Sequence, residues 1–145
     1  MKIFGHPVHT MLVHFPIALW SLASICDGVA IIGYHDAWRA STWLMVIGLL
    51  IAAIAMIPGL IDLAKLPENA RVTGITHMSY MGLAWIFYLL SLVFHLDQGT
   101  ISSAPNLWGM ALGTVGFGCL SIGGFYGAEL VYHHGAGQIL DKSSR

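Results

Sequence analysis

Four apolar runs, each long enough to cross a bilayer, constrain this chain more than any other feature of its sequence. Crossing about 30 Å of hydrocarbon at about 1.5 Å per residue takes a helix of roughly 20 mostly apolar residues. The run from Ala40 to Ile61 meets that requirement without a single charged residue. Val72 to Phe94 meets it with His77 near one end, and Asn106 to Ala128 meets it as well. The first run, Met11 to Gly33, qualifies with His14 and Asp27 accommodated within it. The segments are too long for membrane strands and lack the alternation of a barrel. The expectation is an all-α integral membrane protein: one four-helix up-down bundle over residues 1–145, with helices at about 11–33, 40–62, 72–95 and 106–134.

Composition agrees. Of 145 residues, 57% are hydrophobic and 9% charged, too few charges to cover a water-soluble surface. A net charge of -1, with scattered Lys and Arg, gives no footprint for nucleic acid. Cys26 and Cys119 lie inside apolar stretches with no CxxC spacing, which fits small apolar residues rather than a disulfide framework or zinc ribbon. The first hydrophobic segment lacks the basic region and cleavage site of a removable signal, so it reads as a retained helix. The joints fall at Gly33 to Asp36, Asp62 to Arg71 and Asp97 to Pro105, and Gly135 suits a left-handed helix cap. Trp38, Trp43 and Trp108 stand at helix ends, where indoles favour the headgroup level. No internal repeat is discernible. Lys2, Lys65, Arg71, Lys142 and Arg145 fall on one side and Arg39 alone on the other, which predicts that both termini are cytoplasmic.

Eight histidines are many for so small a membrane protein, and their depths are uneven. His6, His9 and His14 precede or open the first helix, Asp62 closes the second, His77 opens the third, and Glu129, His133 and His134 close the fourth. All belong to the end that carries the termini. His35, His95 and Asp97 fall at the other end, with Asp27 between the two as a proton-pathway or helix-packing residue. Ionisable groups at membrane depth are costly and usually face the bundle interior or a cavity. Interfacial hydration explains His6, His35 and His133 taken singly. The set His9, His14, Asp62, His77, Glu129 and His134 points instead to convergence. His9 and His14 would stand about 140° apart on a regular helix. Pro16 predicts a start or kink that turns both toward one centre, although a proline in a first helical turn is also common. The glycines of the fourth segment, among them Gly109, Gly113, Gly116, Gly123 and Gly127, suit close helix packing, or a flat macrocycle against a glycine face.

The opening from His6 to Pro16, the Gly-x-x-Asp of Gly59 to Asp62, His77, and Glu-Leu-Val-Tyr-x-His-Gly over Glu129 to Gly135 resemble the bacterial membrane family domain of unknown function 2231. The resemblance covers nearly the whole chain and implies a four-helix inner-membrane protein. Its motif falls on His6, His9, His14, Asp62, His77, Glu129 and His134. Thr10 stands where a second proline is common, and Tyr126-Gly127-Ala128 where paired glycines are common. Fusion of some members to Rieske or c-type cytochrome domains implies electron transfer by association.

Three readings stay open. The first is haem b held by His14 and His77 from diagonal helices, for electron transfer with redox partner proteins or quinone; a second haem on His35 and His95 extends it. The second is a non-haem iron or zinc site drawn from His9, His14, His77, Glu129 and His134, with Asp62, His6 and His133 behind them. The third is a structural or assembly subunit packed around a polar cluster. The bilayer is the common partner, and homo-oligomerisation is compatible with each.

Overall fold

The structure, a computed structural model, describes residues 2–3 and 6–136, with side chains from Val8 onward. Helices α1 (Val8–Ile31), α2 (His35–Leu63), α3 (Glu68–His95) and α4 (Leu107–Tyr132) are each long and apolar enough to cross a membrane. The chain is an all-α, four-helix membrane bundle. Leu50, Ile54, Ile57 and Val93 are among many large apolar side chains that face outward, as lipid contact requires. A short antiparallel pair, β1 (Lys2–Ile3) with β2 (His6–Pro7), precedes α1. A second pair, β3 (Leu96–Asp97) with β4 (Thr100–Ile101), joins α3 to α4. Gln98 and Gly99 both have positive φ there, the conformation of a two-residue hairpin turn whose twist matches its strands.

Local chemistry sets the helix limits. The Asn106 carboxamide oxygen accepts from the amides of Trp108 and Gly109 and caps α4. Gly33 and Gly135 adopt positive φ just past the ends of α1 and α4. Pro16 does not break α1: the helix starts at Val8, earlier than expected, and carries Pro16 buried in its interior. The missing amide costs Leu12 one helical bond, which packing against neighbouring helices makes tolerable in membrane helices. Trp38 faces the bundle interior and not the lipid. It is fully buried, while Trp43 and Trp108 are exposed.

α1 packs along α2, and α3 along α4; the two hairpins meet more sparingly, through α2 with α3 and α1 with α4. They are two copies of one packing plan, which corrects the expectation of no repeat. Buried Pro16, Trp20, Ala23 and Asp27 of α1 correspond to buried Ala84, Tyr88, Ser91 and His95 of α3, at the spacing of 68 residues that separates Trp20 from Tyr88 and Asp27 from His95. Buried Ser41, Met45, Gly48, Ala52 and Ala55 of α2 correspond at the same spacing to Gly109, Gly113, Gly116, Leu120 and Gly123, the buried set of α4. Gly48 receives the Trp20 indole as Gly116 receives the Tyr88 ring. Few residue identities survive between the copies, so the repeat shows in packing and not in sequence.

Large side chains of α1 and α3 fill the gap across the bundle diagonal. Trp20 stacks on Tyr88 with centroids 4.8 Å apart, and the Tyr88 hydroxyl lies 2.8 Å from Ser24 Oγ. The α4 glycines face side chains of α3: Gly109 meets Phe94 and His95, Gly116 meets Tyr88, and Gly123 meets Met81 and Tyr80. Protein side chains therefore take the face that a flat macrocycle would have needed along that stretch.

Candidate functional site

His9 occupies the second position of α1 and His77 the equivalent place in α3. His9 Nδ1 lies 2.9 Å from the Ala55 carbonyl of α2. His77 Nδ1 lies 2.8 Å from the Gly123 carbonyl of α4. Both bonds join residues 46 apart, so each hairpin repeats the same contact. Pro58 helps explain the first: it offers no amide to Ile54, so that turn of α2 is short of a donor, and His9 brings one to the adjacent Ala55 carbonyl. Each ring also needs a glycine. A Cβ on Gly59 would come within 2.8 Å of the His9 ring, and one on Gly127 within 3.0 Å of the His77 ring.

A carbonyl only accepts, so Nδ1 carries the proton in both rings and Nε2 keeps its lone pair. No hydrogen bond to either Nε2 occurs among the described residues. The ring centroids are 6.4 Å apart and the planes cross at 85°. The arrangement is therefore two half-buried imidazoles, related by the repeat, each with its tautomer fixed within its own hairpin and its basic nitrogen unspent. A donated Nδ1–H and an unspent Nε2 is how protein imidazoles are prepared to ligate a metal.

The other residues picked out in the sequence do not complete a three-ligand group with these rings among the described residues. His14, in a helix that runs unbroken from Val8, is exposed on another face. Asp62 and Glu129 are half-buried and His133 is exposed. His134 is half-buried, with Nε2 3.4 Å from Thr73 Oγ1. The side chain of His6 lies outside the described residues, as do Lys142 and Arg145. Among the described residues, no three His, Cys, Asp or Glu side chains gather closely enough to hold one metal ion. The structure thus brings together His9 and His77 from the longer set, and not His14 with His77.

A second polar centre, at the end away from the termini, was only partly foreseen. His95 is fully buried, Nε2 lies 3.1 Å from Asp27 Oδ1, and Nδ1 lies 2.9 Å from the Ser91 carbonyl. Trp38 stacks on the His95 ring with centroids 3.6 Å apart and planes 9° from parallel. With both nitrogens engaged, and His35 exposed, His95 does not form the metal-ligating pair with His35 that the sequence suggested. The signal available in advance was the 68-residue spacing of Asp27 and His95, which matches that of the other inward pairs.

No curated protein and no solved structure matches the chain. A family model described as a predicted membrane protein, DUF2231, matches residues 5–139, a span that contains all four helices and both polar centres. The chain belongs to the membrane-protein family domain of unknown function 2231.

Proposed function

We propose that this chain is a membrane-embedded electron-transfer protein that holds haem b through His9 and His77. The observation that carries this reading is the pair of repeat-related imidazoles whose Nδ1 atoms are spent on Ala55 and Gly123 carbonyls while both Nε2 atoms stay basic. With metal–nitrogen bonds of about 2.0 Å, two imidazoles on opposite sides of one metal have ring centroids roughly 6 Å apart. The observed 6.4 Å fits that demand. A pair of ligands, rather than three or four, suits a macrocycle that supplies its own four nitrogens.

His9 and His77 would hold the haem, which would supply one-electron redox chemistry. The chain's own residues do the rest. Ala55 and Gly123 fix the rings and raise their basicity. Gly59 and Gly127 make room for the rings against α2 and α4. The excess of Lys and Arg at this end supports a cytoplasmic orientation, in which a redox protein or a quinone would reach it.

The test is a spectrum of protein purified from haem-replete cells. The expected result is a Soret band that shifts on dithionite reduction, absent from His9→Ala and from His77→Ala and retained in His14→Ala. A colourless preparation overturns the haem reading. Stoichiometric iron or zinc in that colourless protein then supports the non-haem alternative, and neither pigment nor metal supports a structural role.

A further inference from the structure

The polar centre formed by Asp27 and His95 has no part in haem ligation, and a separate inference rests on it. We propose that the Asp27–His95 pair is an intramembrane proton-binding site, holding one proton between carboxylate and imidazole and exchanging it at the end of the bundle that carries Trp38 and Ser102.

Proton counting leads there. The Ser91 carbonyl only accepts, so His95 Nδ1 is protonated. The 3.1 Å contact of Nε2 with Asp27 Oδ1 needs a proton of its own, on either atom. Both placements contain the same number of protons and leave the pair without net charge. Removing that proton leaves two acceptors in contact and one uncompensated negative charge at membrane depth, where a lone charge costs at least a few kcal/mol. The proton has a home on each partner: the Trp38 face favours an imidazolium beneath it, and low polarity favours a neutral carboxyl.

The surroundings leave the charge to this pair. On α1, Cys26 adjoins Asp27; on α3, the nearest titratable group is Tyr88, bonded to Ser24. α2 presents Trp38, Ser41 and Met45, and α4 presents Gly109 and Gly113. His35, Asp36, Arg39 and Asp97 at this end are exposed.

A way out is also built in. Asp27 Oδ2 and Ser41 Oγ are buried without a hydrogen-bond partner among the described residues. In the repeat, Ser41 stands to Asp27 as Gly109 stands to His95, and a Cβ on Gly109 would lie 3.3 Å from His95 Nδ1. Asp27 Oδ2 faces Gly113 of α4, where a Cβ would lie 3.4 Å from it and 3.3 Å from Ser91 Oγ, and buried polar atoms left without a partner commonly bind an ordered water. Such a water gives the carboxyl a second partner through which the proton leaves. Above it, the Trp38 indole N–H donates to Ser102 Oγ at 3.0 Å, and that hydroxyl donates to the Ala104 carbonyl in the exposed loop.

The experiment uses the full chain in detergent micelles, across roughly pH 3 to 10, a range that brackets an ordinary carboxyl and imidazole. Tryptophan emission is followed together with the infrared carboxylic-acid and imidazolium bands. The expected result is a one-proton step in both. Trp38→Phe removes the emission step and keeps the infrared one; Asp27→Asn, which preserves a hydrogen bond to His95, removes both. A wild-type protein flat in both signals overturns the proposal, as does an unchanged step in Asp27→Asn. Should Asp27→Asn not fold, the Trp38→Phe infrared titration decides: a carboxylic-acid or imidazolium band that titrates supports the site, and constancy of both overturns it.

Discussion

The two ends of the bundle use the same pair of repeat-related positions in opposite ways. At the end near the termini both copies carry histidine, and each ring satisfies its donor inside its own hairpin, His9 on Ala55 and His77 on Gly123. At the other end the copies have diverged to Asp27 and His95, which satisfy each other across the hairpin interface. Neither imidazole is the other's hydrogen-bond partner. Repeat-related positions that stay alike are thus each satisfied within a hairpin, and those that become complementary form a clasp between hairpins.

Mutations can break or sharpen that contrast. The largest effect is expected at the clasp: Asp27→Ala leaves His95 buried without its partner and should cost about 3–5 kcal/mol, read by unfolding in detergent. Asp27→Leu with His95→Met should restore most of that loss, because an apolar pair of similar volume removes the desolvation cost. A double variant no more stable than Asp27→Ala would show that the two residues do not act as a unit. Next come the glycines that seat the histidines. Gly59→Val and Gly127→Val should each destabilise by about 1–3 kcal/mol and displace one ring. Because the sites are equivalent, each should abolish the haem spectrum; loss from one alone would break the proposed equivalence.

Smaller effects test the edges. Ser102→Ala removes the acceptor of the Trp38 indole and should cost about 0.5–1.5 kcal/mol. His14→Ala, at an exposed position, should stay within about 0.5 kcal/mol and leave any bound chromophore unchanged. A large effect there would return His14 to the site and set aside the pairing of His9 with His77.

The helices were legible because length and apolar content alone decide whether a segment can cross a membrane. Convergence was less so. His77 and His9 both stood in the expected set, yet the choice between His9 and His14 depended on whether Pro16 breaks α1. Sequence chemistry permits either outcome at a proline, and neighbouring helices made the continuous one acceptable. Trp38 shows the same limit: its place near a helix end was legible, but that it turns inward to cover His95 was not.

What the amino acids determine unaided is a chain of four membrane helices with ionisable residues gathered at their ends, since burying charge in hydrocarbon is costly wherever it occurs. Only the tertiary structure decides which of those residues face one another. A shared packing plan needs small residues opposite large ones, not identical letters. The equivalence of His9 with His77 and of Asp27 with His95 therefore became visible once each hairpin had closed around its own glycines.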